Sequence, residues 1–240
     1  MSISSRRVLA IWRKELREYR HNGNIIYAMA ILPIVFLIQP LISAFTIPTS
    51  ASQALHREHT LIYMLAIPAL VPAALAAYAI VGERLQGTLE PLLSTPVRRE
   101  ELLLGKALAA FLPAVVVAYF VFAVYIGVVE LFAHPYVASA LIRGSDVIVQ
   151  IIFTPLLAAL SIWIGMAVSA RSRDPRTSGQ LSILVSLPTV AVTSLIAFNV
   201  IPANVRVALI CGVGLLALNR LGWRVASAIF DRERLITSTK

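Results

Sequence analysis

Five uncharged stretches divide the chain: Ile25 to Ile47, Thr60 to Gly82, Ala107 to Val129, Val147 to Ala170 and Gly179 to Val200. Each reaches the ~20 residues that carry a helix across a bilayer. Each therefore predicts a transmembrane helix. A sixth run, from about Arg206 to Val225, holds Arg206, Arg220 and Arg224 at or near its ends. Arginines so placed can snorkel to the headgroups, and the run predicts a sixth span.

Ahead of the first span the pattern changes. Val8, Ile11, Trp12, Leu16 and Tyr19 recur at steps of three and four, while Arg6, Arg13, Lys14, Arg17 and Arg20 fall on other faces. This spacing predicts an amphipathic helix in the membrane interface, with Ser5 as its cap and His21-Asn22-Gly23-Asn24 as the break before the bilayer. It serves either as a surface anchor or as an elbow helix that also packs against a partner. The apolar run that follows is longer than the 7–15 residues of a signal-peptide core, which predicts a retained span.

Composition agrees with the pattern: of 240 residues 58% are hydrophobic and 14% charged, with a mean hydropathy of +0.81. A soluble domain carries about 25% charged residues. Six spans and their connections use up the length, so no sizeable soluble domain is expected. The net charge of +9 lies in short segments between spans, where topology and anionic headgroups account for it and nucleic acid does not. Eighteen Lys and Arg fall on the side that holds both termini, against Arg57, Arg143 and Arg206 on the other. The positive-inside rule makes the first side, and both termini, cytoplasmic.

Several chemistries find no residues to perform them. The single Cys211 cannot form an internal disulfide or a metal cluster, and no HExxH or GxSxG occurs. No GxxxxGK[ST] loop is present to cradle ATP phosphates. The middles of the spans carry no Asp, Glu, Lys, Arg or His, where ion-coupled carriers place them. Glu130 and Asp146, at outer ends of spans, are expected to be solvated. Pro33, Pro40, Pro68, Pro72, Pro113, Pro155 and Pro188 punctuate the first five spans, either as packing bends or as kinks that reshape a pathway.

The longest cytoplasmic segment, GERLQGTLEPLLSTPVRREELLLGK from Gly82 to Lys106, is the most informative. Leu85, Leu89, Leu92 and Leu93 make an apolar stripe among Glu83, Arg84, Gln86 and Glu90, interrupted by Gly87 and Pro91. The stripe predicts a short, kinked helix lying on the surface. Thr95 followed by Pro96 predicts the cap and first turn of a new helix running into the third span.

This segment resembles the signature loop of the type-2 ABC (ATP-binding cassette) exporter permeases, whose pattern is roughly E-R-E-x-G-T-L-E-x-L-L-x-T-P-x-x-R-x-E-x-x-x-G-K. Glu83, Arg84, Gly87, Thr88, Leu89, Glu90, Leu92, Leu93, Thr95, Pro96, Arg99, Glu101, Gly105 and Lys106 agree with it, while Leu85 and Pro91 depart. The resemblance implies that the loop forms a coupling helix seated in a groove of a separate ATPase subunit. Leu89, Leu92 and Leu93 would dock there, with Glu83, Arg84, Gly87, Thr88 and Glu90 around them. It further implies two ATPase subunits that bind ATP and Mg, a second permease copy or paralogue, and no catalytic site or cofactor on this chain.

Arg171 to Gln180 resembles the family's second cytoplasmic loop, and a positive-inside hinge explains it equally well. Phe230 to Leu235 resembles the family's ending. The expected protein is thus all-α, with six spans, an amphipathic interfacial elbow helix and a coupling helix between spans two and three, in the plasma membrane of a prokaryote. One permease domain fills 1–240: interfacial helix 1–24, spans 25–225 and cytoplasmic tail 226–240. An ATP-independent carrier or channel is the alternative, and a membrane scaffold a third reading. Gln39, Gln150, Thr154, Ser161, Tyr119, Tyr125 and Asn199 are candidate polar groups along a pathway, and their scarcity points to an amphiphilic or hydrophobic cargo.

Overall fold

The computed structural model describes residues 4–21, 23–46, 59–87 and 97–229, and every regular element among them is a helix. In chain order these are α1 (Ser5–His21), α2 (Gly23–Thr46), α3 (Thr60–Tyr63), α4 (Ala66–Ala76), α5 (Tyr78–Leu85), α6 (Arg99–Phe132), α7 (Pro135–Leu141), α8 (Gly144–Arg171), α9 (Pro175–Ala197) and α10 (Val205–Ile229). With α3 to α5 taken as one stretch, Thr60–Leu85, six helices are long and apolar enough to cross a membrane. The sixth is α10, with its arginines. The 34 residues of α6 make it about 50 Å long against an apolar bilayer core of about 30 Å, so about 20 Å of it extends beyond the hydrocarbon.

Two helix starts differ from expectation. α1 begins at Ser5, and it is the carbonyl of Ser4 that accepts from the Arg7 and Val8 N–H groups, so the cap lies one residue earlier. Arg98 is extended (φ −75°, ψ 151°), and α6 therefore starts at Arg99 and not at Pro96. The cause is local: the Glu101 carboxylate reaches back to accept the Arg98 N–H at 3.1 Å. Thr95 and Pro96 themselves lie outside the described residues.

The second span is the axis of the bundle. In its most apolar stretch 94% of residues are buried, against 6% for the last span, and its middle piece packs most extensively on α8. Gly165 allows that contact, because a Cβ there would stand 2.6 Å from the Ala73 carbonyl oxygen and 2.7 Å from the Ala76 Cβ. Small residues let membrane helices approach backbone to backbone in this way.

Breaks in this span follow from its sequence. Pro68 has no N–H to give to the Met64 carbonyl, which accepts from Ile67 instead (3.0 Å), and the helix is interrupted at Met64 and Leu65. At the second break, Ala77, neighbouring spans supply what the helix gives up. Ser169 Oγ of α8 accepts the N–H groups of Ile80 (3.1 Å) and Val81 (3.2 Å), and Ser178 Oγ of α9 donates to the Ala77 carbonyl (3.0 Å). Buried hydroxyls thus meet the requirement that backbone polar groups inside a membrane find partners. α2, α6, α8 and α9 by contrast continue through their prolines without interruption.

At the end of the bundle away from α1, Asp146 is buried rather than solvated. Its Oδ2 lies 2.9 Å from His59 Nδ1, and the His59 N–H is itself held by the Ala197 carbonyl at 3.0 Å. The start of the second span, the start of α8 and the end of α9 are thereby joined. Glu130 is exposed, as a solvated end residue should be.

Candidate functional site

The sequence concentrates its chemistry around Gly82 to Lys106, and the structure surrounds the described parts of that segment with α1. This helix lies along the first turns of α6. Ile11 closes over Gly105 so tightly that a Cβ on the glycine would sit 2.6 Å from its Cγ2. Trp12 and Ile11 pack against the main core, so α1 is docked on the body of its own chain.

Beside this contact lies a buried ion cluster. Lys106, with only 2% of its surface exposed, donates through Nζ to Glu15 of α1 and to Glu83 of α5, the latter at 3.0 Å. Lys14 donates to the same Glu83 oxygen and pairs with Glu18 at 3.0 Å. Burial lowers the Lys14 pKa, but the hydrogen bond to Glu83, the charge of Glu15 and the hydrogen bond to Glu18 outweigh it and hold the ammonium well above its usual range. Three helices far apart in sequence are therefore joined by charges that cost desolvation and specify one arrangement.

Further motif residues complete the frame. Glu101 accepts the Ser4 N–H at 2.8 Å and Arg7 Nη1 at 3.3 Å, fastening the start of α1 to the start of α6. Arg84 Nη1 donates to the Ser172 carbonyl at 2.8 Å and so covers the C-terminus of α8, where the helix dipole favours a cation. Arg99 Nη1 donates to the Ser227 carbonyl at 3.3 Å near the end of α10. Gly87 ends α5 with φ +67°, the left-handed conformation that closes helices and that glycine adopts without strain.

Of the residues expected to face an ATPase, Glu83 and Arg84 are thus engaged inside their own chain, and Gly87 stands at the edge of the segment. Thr88, Leu89, Glu90, Leu92 and Leu93 lie outside the described residues, as does Phe230 to Leu235. Sequence reasoning missed Glu15. It falls on the apolar stripe, three positions after Trp12 and four before Tyr19, and an acid on that stripe was the available sign of a buried partner. Among the candidate pathway groups, Gln150, Thr154, Ser161 and Tyr125 are buried within the single chain. Ser161 donates to the Ala69 carbonyl, and the Tyr125 hydroxyl lies 3.1 Å from Thr60 Oγ1. Asn199 is exposed in a left-handed turn (φ 55°).

Comparison with known proteins places this geometry in context. The family model described as ABC-2 family transporter protein matches residues 9–225, a range that takes in α1 from Leu9, the ion cluster and nearly all of the six spans. The comparison with curated proteins gives no match.

Proposed function

The chain belongs to the ABC-2 family of transporter proteins, and on that premise we propose that it is the permease subunit of an exporter driven by two separate ATPase subunits. As a multi-pass membrane subunit of that family it associates with an ABC ATPase. The finer reading is that cargo leaves the cytoplasm along a pathway between this permease and a second copy or paralogue, in the plasma membrane of a prokaryote. Both termini are cytoplasmic by the distribution of Lys and Arg. ATP and Mg are held by the partner, since this chain has no phosphate loop.

One observation carries the coupling part of this reading. Lys106, on the first turns of α6 after the segment 88–96, donates both to Glu83, on the helix that precedes that segment, and to Glu15 of α1. A push on that segment therefore acts on the second span, the third span and α1 together. Leu89, Leu92 and Leu93 supply the apolar contact, with Gly87, Thr88 and Glu90 beside them, while Glu83 and Arg84 hold the base from within. The variant Leu89→Asp/Leu92→Asp/Leu93→Asp is expected to insert in the membrane and to lose the co-purifying ATPase. Wild-type recovery of an ATPase with this variant would remove the assignment.

A further inference from the structure

A cavity of about 560 Å³ opens between α1, the start of α2 and the end of the second span. On its inner wall the carboxylate oxygens of Glu15, Glu18 and Glu83 lie within 4.8 Å of one another. A metal ion is a poor occupant, because Lys14 and Lys106 already donate to these carboxylates and would have to be displaced. Glu15 and Glu18 have acceptor sites beyond those in use, and Glu18 is 40% exposed. The second observation is Tyr19. It lines the same cavity and is 7% exposed, yet its buried hydroxyl has no hydrogen-bond partner among the described residues. Burial, and then the carboxylates of Glu15 and Glu18, push the Tyr19 phenol up, so it remains a neutral hydroxyl with lone pairs to offer.

The outer wall has the opposite sign. Arg17 also lines the cavity and is exposed. Immediately after the break at Gly23, Ile26 and Tyr27 of α2 present 49% and 66% of their surfaces outward, an apolar track beginning beside the cavity. The polarity is therefore ordered: inside, three carboxylates against two ammonium groups leave one negative charge in excess, with a basic group outside and apolar surface alongside. We propose that this cavity binds the headgroup of an ethanolamine phospholipid, its ammonium toward Glu15, Glu18 and Tyr19, its phosphate toward Arg17 and its acyl chains along α2. A primary ammonium donates three hydrogen bonds, whereas the trimethylammonium of a choline lipid donates none.

The test is native mass spectrometry of the full-length protein, with whatever co-purifies, titrated with phosphatidylethanolamine, phosphatidylcholine and phosphatidylglycerol of identical chains. One phosphatidylethanolamine is expected to be retained with about tenfold preference over the other two, the scale of hydrogen bonds between charged groups. Tyr19→Phe, which removes only an oxygen that lacks a partner, and Glu18→Gln are each expected to reduce that preference about fivefold at an unchanged thermal midpoint. Equal retention of the three lipids, or both variants keeping the wild-type preference, would overturn the site. Displacement of the lipid by equimolar phosphoethanolamine would overturn the lipid assignment in favour of a soluble zwitterion.

Discussion

Replacing Lys106 by methionine removes the central cation of the cluster while keeping most of its volume. At 3.0 Å its pair with Glu83 is worth about 5–6 kcal/mol of Coulomb attraction at an effective dielectric constant of ~20. Most of that attraction offsets the cost of taking the charges out of water, so it does not measure the loss. What decides the loss is the remainder: Glu15 and Glu83 stay buried, at 3% and 5% exposure, with Lys14 as the cation beside them. Breaking a buried pair from one side costs about 3–5 kcal/mol. Neutralising the acid that has lost its partner should recover part of this, so Lys106→Met/Glu15→Gln is expected to be more stable than Lys106→Met by about 1–3 kcal/mol. The order of stabilities is the signature, because two independent destabilising changes would add. Thermal midpoints in mild detergent, read as the surviving monodisperse fraction, rank the three proteins. Trypsin cleavage at Arg13 and Arg17 reports whether α1 has come away. A midpoint for Lys106→Met equal to wild type, or a double variant below the single one, would refute the buried-pair account.

Two further outcomes follow from the same physics. Ser169→Ala leaves the Ile80 and Val81 N–H groups without their hydroxyl acceptor inside the bundle, which should cost about 1–3 kcal/mol; faster amide exchange at those two residues, with little change in α10, is the expected readout. Lys14 titrates in the folded protein above its ordinary value of 10.5. Its contribution to stability is therefore complete below 10.5 and is lost as pH rises through the higher folded value. Lys14→Met should flatten the alkaline limb of the stability profile, and an unchanged limb would show that other groups govern it.

The spans were legible because each signal is long and needs no partner: ~20 apolar residues mean the same thing whatever packs beside them. Features that depend on a residue distant in sequence were not legible. Asp146 reads as a solvated helix end until His59, held by the Ala197 carbonyl, arrives beside it. The break at Ala77 has no mark of its own, since it is supported by serines from α8 and α9. The short α7, on the connection after the third span, carries no periodicity long enough to announce it.

The Gly82 to Lys106 segment shows the same limit within one motif. In sequence its charges form a single series, and a glutamate that faces water is spelled like one that faces a lysine 23 residues away. In the fold they separate. Glu83 and Lys106 are buried against each other, Glu101 fastens the start of α1, and Arg84 covers the end of α8. Their chemistry is spent inside the chain, and the proposed contact with the ATPase rests on the middle of the motif alone. Loss of transport on changing a charge in this segment is therefore not evidence of contact with the ATPase. Substitutions at Glu83 and Lys106 should lower the thermal midpoint together with transport, whereas substitutions at Leu89, Leu92 and Leu93 should abolish transport at a wild-type midpoint. Measuring both quantities on each variant separates the residues that hold the lever from those that meet the force.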